Sequence, residues 1–125
     1  EMAHVITHKL LGMPGTKLMS EGYANWLDGG YSKYSIIDIL KYYRDNESYK
    51  VIDPITLLLD ESLEDSVYYP NVGVFIGFLI NTYGVESVNS LFTVERDIFI
   101  NSFYSVTGDQ WSKMSEKYSQ YIKLL

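Results

Sequence analysis

The chain has 125 residues, 46% hydrophobic and 21% charged, a length suited to one domain that buries roughly two-thirds of its unfolded surface. Ten basic residues against 16 acidic ones leave a formal charge of −6, and Arg44 and Arg96 are the two guanidinium groups, so the basic stripe that neutralises nucleic-acid phosphates is missing and no nucleic-acid partner is expected. The absence of cysteine rules out a disulfide scaffold, an iron–sulfur cluster and a thiolate zinc knuckle, and leaves the redox compartment open.

Helical periodicity dominates. A first helix is expected over 1–11, with Val5, Leu10 and Leu11 beside His4 and His8 and a stop at Gly12-Met13-Pro14-Gly15. A second is expected over 17–28, closed by Gly29-Gly30. Ser35 is placed to cap a third, whose apolar stripe is Ile36, Ile37, Ile39, Leu40 and Tyr43. Residues 49–52 are the one β-rich run. Pro54 suits the first turn of a short helix to 59, and Pro70 the opening of a long apolar one to 83, ended by Gly84. Further helices are expected over 85–92, 96–106 and 109–124, with Thr107-Gly108-Asp109 as a stop followed by an N-cap.

The expected fold is therefore mainly α, about seven helices with little or no sheet, in a single helical domain over 1–125. The acidic residues Asp60, Glu61, Glu64 and Asp65 read as a solvated loop, with loose divalent-cation binding as the alternative. The longest apolar run, 72–80, is half of what a membrane span requires, so no membrane span is expected. Signal peptide, internal repeat and low-complexity tract are not seen.

Two features carry possible chemistry. Glu1-Met2-Ala3-His4 is the second part of an H-E-x-x-H pattern. In that pattern two histidines four apart lie about 40° apart around a helix and reach one zinc ion, while the glutamate beside them deprotonates water. Seventeen positions after His4, Glu21 supplies a carboxylate from the next helix, as a site of two histidines and one glutamate requires. Gly22 beside it is expected to let the two helices approach closely.

The stretch Glu1-Met2-Ala3-His4-Val5-Ile6-Thr7-His8-Lys9-Leu10-Leu11-Gly12, followed by Ser20-Glu21-Gly22-Tyr23-Ala24, resembles the active-site region of gluzincin zinc metallopeptidases. It is most like the group called peptidase MA-like, related to thermolysin and the zinc aminopeptidases. The resemblance continues through 69–84, from Tyr69-Pro70-Asn71 to Tyr83-Gly84, and through Phe103-Tyr104-Ser105-Val106-Thr107-Gly108 and the helix with Trp111. It implies the helical C-terminal lobe of such an enzyme: a zinc-helix remnant (1–11), a glutamate helix (17–28) and a helical bundle (35–125). The chain is then expected to be a fragment of a longer protein whose sheet-containing N-terminal lobe completes the substrate cleft.

The resemblance also assigns roles. Glu1 matches the general base, His4 the second zinc-binding histidine, Glu21 the third ligand, and Tyr69 the tyrosine that stabilises the oxyanion, with Tyr68 as the fallback. The cofactor implied is zinc, the partners a peptide or protein substrate and the missing lobe. With no histidine before Glu1, the chain by itself is expected to bind zinc weakly and to be inactive. Each assignment has a plainer competitor. His4 and His8 are themselves an i,i+4 pair that could take the metal, Glu21 could be an ordinary carboxylate favoured by the helix dipole, and Tyr69 could be a packing residue. Gly73 and Gly77 are read as core positions permitting close helix contact.

The function expected is zinc-dependent peptide hydrolysis in the intact parent. The alternative is a non-catalytic helical binding or scaffold domain with a degenerate peptidase architecture. The resemblance further suggests an extracytoplasmic or cell-envelope protein, often bacterial, and few Ala and Arg against many Ile, Asn, Lys and Tyr suit an AT-rich genome. An apolar face left by the missing lobe would favour self-association.

Overall fold

A computed structural model describes residues 2–31 and 33–125, Tyr31 by its backbone alone. Among these residues the chain forms α1 (Met2–Leu11), α2 (Lys17–Asp28), a hairpin of β1 (Gly30–Tyr31) and β2 (Tyr34–Ser35), α3 (Ile36–Asn46), a 3-10 turn (Ser48–Lys50), α4 (Pro54–Leu59), α5 (Asp65–Tyr83), α6 (Val85–Ser90), α7 (Arg96–Thr107) and α8 (Trp111–Lys123). The fold is mainly α, as expected, with eight α-helices described rather than about seven. Its sheet is one antiparallel pair, Gly30 opposite Ser35 and Tyr31 opposite Tyr34.

Side-chain caps explain where α2 and α3 begin, the one at Ser35 as expected and the one at Thr16 shown by the structure. Thr16 Oγ1 accepts from Met19 N at 3.1 Å, and Ser35 Oγ accepts from Asp38 N at 3.1 Å, each satisfying one of the amide donors left over in a first helical turn. Gly29 and Gly108 end α2 and α7 in the left-handed region, at φ 76° and 82°, where a Cβ would be strained.

Three expectations are corrected. The long apolar helix starts at Asp65, not Pro70. Val67 N and Tyr68 N both donate to Glu64 O, so the first turn forms upstream of the proline, and Asp65 joins a helix N-terminus, where negative charge is favourable. Residues 49–52 do not form a strand. The buried Asn71 amide takes their backbone instead, donating to Lys50 O at 2.8 Å and accepting from Ile52 N at 2.9 Å. Asp109 does not cap α8, whose N-cap is Gln110 without a side-chain hydrogen bond. Its carboxylate accepts from Tyr83 Oη at 2.8 Å and from Lys117 Nζ at 2.6 Å, tying the end of α5 to α8.

Helix α5 is the axis of the molecule. Tyr68 and every residue from Pro70 to Leu79 are buried, with α2, α3, α4, α6 and α8 packed around it. Complete burial of each large apolar side chain contributes about 1.5–3 kcal/mol. Phe75, Phe99 and Phe103 form edge-to-face pairs with Trp111, at centroid distances from 5.2 to 6.3 Å. Close contact at the α2–α5 seam rests on glycine: a Cβ on Gly22 would lie 2.2 Å from Ile76 Cγ1, and one on Gly77 2.7 Å from the Trp26 ring. Gly22 thus serves the approach of α2 to α5, not of α1 to α2. No described helix is long and apolar enough to cross a membrane.

Candidate functional site

Helix α1 lies against α2 with His4, Thr7, His8 and Leu11 on its inner side. Thr7 is buried there, its hydroxyl returned to the carbonyls of Ala3 and His4 at 3.0 and 3.1 Å. Val5 and Leu10, expected beside the histidines, lie on the outer side instead, 62% and 75% exposed. The helical repeat turns them away once His4 and His8 face inward.

His4 and Glu21 meet across the α1–α2 contact. His4 Nε2 lies 3.4 Å from Glu21 Oε1, with both side chains about four-fifths shielded from solvent. One turn later, Asn25 Nδ2 donates to the Glu21 main-chain carbonyl at 2.8 Å, which fixes the Asn25 side chain along α2. His8 stacks on His4 with ring centroids 6.1 Å apart and planes 2° from parallel, and its other side meets the edge of Phe92 at 6.4 Å. The carboxylate is therefore at His4, while His8 is packed inward against Phe92.

These residues border a cavity of about 510 Å³ lined by Met2, Ala3, His4, Glu21, Ala24, Asn25, Asp28 and Tyr69. Three of the four candidate residues named from the sequence, His4, Glu21 and Tyr69, share that one wall. Glu1 lies outside the described residues. Tyr68 does not line the cavity: it is buried, its ring sits under Lys17 Nζ at 4.4 Å, and its hydroxyl has no hydrogen-bond partner among the described residues. Burial, together with the Glu21 and Glu61 carboxylates and Tyr69, pushes the Tyr68 phenol well above its usual range.

Asn25 and Asp28 were missed as cavity residues. Their signal was present, since 21, 24, 25 and 28 recur at helical spacing on one face of α2. Among the described residues no group of three His, Asp or Glu side chains is placed to hold a metal ion. The acidic residues 60–65 are engaged in structure: Asp60 Oδ1 accepts from Ser62 N and Oγ at 2.9 and 2.6 Å, and Glu61 Oε2 lies 3.6 Å from Arg96 Nη1.

The spacing between His4 and Glu21 has a chemical meaning. Ligands at zinc–nitrogen and zinc–oxygen bond lengths of roughly 2.0–2.2 Å, set at the tetrahedral angle, stand about 3.4 Å apart. A direct N–H···O hydrogen bond prefers about 2.7–3.2 Å. The 3.4 Å between Nε2 and Oε1 is longer than such a hydrogen bond, lies within the range of an ion pair, and also equals the edge of a metal tetrahedron. No family model, no curated protein and no solved structure matches the chain.

Proposed function

We propose that the cavity between α1 and α2 is part of a zinc peptidase site in which His4 and Glu21 are two of the protein ligands. The observation that carries this is the 3.4 Å between His4 Nε2 and Glu21 Oε1, the ligand-to-ligand distance of tetrahedral zinc. Tyr69 in the same wall supports it. Catalytic zinc takes three protein ligands, and the resemblance to gluzincins puts the remaining one, a histidine, immediately before Glu1.

Bound there, zinc would supply Lewis acidity toward a peptide carbonyl and toward water. The chain's own groups do the rest. Glu1 takes a proton from the attacking water and hands it to the leaving amine. The Tyr69 hydroxyl donates to the oxygen on which negative charge develops. The exposed outer face of α1, with Met2 shared between that face and the cavity, is where a further lobe would pack to complete the cleft.

The test uses the full-length gene product, with zinc content and peptide cleavage read together. Glu21→Ala should lose zinc while far-UV circular dichroism stays helical, and Glu1→Gln should keep zinc and lose cleavage. A residue other than His, Asp, Glu or Cys encoded before Glu1 would sink the proposal. So would zinc binding indifferent to Glu21→Ala, which would leave a scaffold domain with a plain His4–Glu21 pair.

A further inference from the structure

The cavity holds more negative charge than a metal centre would use. Its lining contains two carboxylates, Glu21 and Asp28, and no lysine or arginine. Glu21 is at His4. Asp28 is seven residues further along α2, which returns it to the same face about 10 Å down the axis.

Nothing in the local fold accounts for Asp28. It is the last residue of α2, where the carbonyl ends of the helix make a carboxylate unfavourable. Among the described residues it has no ion-pair partner and no side-chain hydrogen bond. It is exposed and lines the cavity, so an incoming group can reach it.

We propose that Asp28 is a specificity-determining residue that binds a positively charged group of a peptide substrate, an ammonium or a guanidinium, on the order of 10 Å from the His4–Glu21 pair. The assignment rests on the peptidase function proposed above. A cationic group is chosen because the wall has two carboxylates and no lysine or arginine, and because one carboxylate at an open cavity rim discriminates charge more than shape. Substrate cations come from two sources, a basic side chain or a free amino terminus, and both present the same chemistry to Asp28.

Binding and cleavage separate the possibilities. Three peptides of one length are compared on the zinc-loaded, full-length Glu1→Gln protein by isothermal calorimetry. One is N-acetylated with a lysine, one has a free amino terminus and no basic side chain, and one is N-acetylated and uncharged. One or both cationic peptides should bind about two- to fivefold tighter than the neutral one, the scale of an exposed ion pair. Whichever binds tighter names the source. Asp28→Asn should erase the difference without weakening the neutral peptide, and Asp28→Glu should keep it. An equal loss for all three peptides, or no charge preference, overturns the assignment. Zinc content and cleavage of the neutral peptide by the protein with Glu1 intact report on the peptidase function separately. Zinc and cleavage without an Asp28-dependent preference overturn the assignment alone, whereas absence of both overturns the peptidase function and the assignment with it.

Discussion

The Tyr43 hydroxyl donates to the Ser66 carbonyl at 3.0 Å, and Ser66 is the residue four before Pro70 inside α5. In an unbroken helix that carbonyl would accept from the amide of residue 70. Proline has no N–H, so a side chain from α3 takes the vacancy. The pairing shows how α5 can run through a residue that usually ends or kinks a helix.

Removing that donor should therefore matter only while the proline is there. Tyr43→Phe should lower unfolding free energy by about 0.5–1 kcal/mol in urea titrations. In a Pro70→Ala background the backbone can supply its own amide, and the same substitution should cost less. A double-mutant cycle measures the coupling; equal costs in the two backgrounds would break the link between Tyr43 and Pro70.

Gly22→Ala sets two effects against each other. Alanine is better than glycine inside a helix by about 1 kcal/mol, yet the added Cβ would come within 2.2 Å of Ile76 Cγ1. Overpacking of a close seam typically costs about 1–3 kcal/mol, so the net result should be destabilising. In an Ile76→Ala background the main obstruction is gone and only the Val72 carbonyl oxygen at 3.3 Å stays close, so Gly22→Ala should become markedly less destabilising. Chemical denaturation of the four proteins decides the sign.

Asp109 gives stability a pH dependence. Its hydrogen bonds from Lys117 and Tyr83 hold its carboxyl below the usual carboxylate range. A carboxylate depressed in the folded state stabilises the protein above its unfolded pKa, and loses that contribution as pH falls through the folded value. The stability gap between the native protein and Asp109→Asn should thus be constant near neutrality and close below about pH 4. Thermal melts across that range test it; a gap that persists undiminished at the acid end would show the ion pair to be without effect.

The outer side of α1 should associate. Met2, Val5, Ile6 and Leu10 are all exposed there, forming the kind of contiguous apolar patch that marks an interaction surface. Sedimentation equilibrium of the 125-residue chain should show mass rising with concentration. Val5→Glu combined with Leu10→Glu should return it to a monomer without lowering its melting temperature, since neither side chain is in the core.

Much of the element order was legible because it rests on local signals. The end of α2 follows from Gly29 and the start of α4 from Pro54 at a first turn. Several failures are places where a distant group intervened. Asn71 captured the backbone of 50–52 before it could pair as a strand, Tyr43 met the carbonyl that Pro70 left open, and Tyr83 with Lys117 drew Asp109 away from the cap.

The candidate site divides the same way. Composition and helical period by themselves determined a mainly α chain with few basic residues, whereas His4, Glu21 and Tyr69 were singled out by the partial motif and by what the resemblance to gluzincins implies. Periodicity relates residues along one helix, so it set Asp28 on the Glu21 face of α2 but could not say which face of α1 would be covered. Only the packing of α1 on α2 decided that His4 meets Glu21 at 3.4 Å while His8 stacks inward on Phe92. Proximity between helices is set by which side chains interlock across them, and no local spacing encodes it.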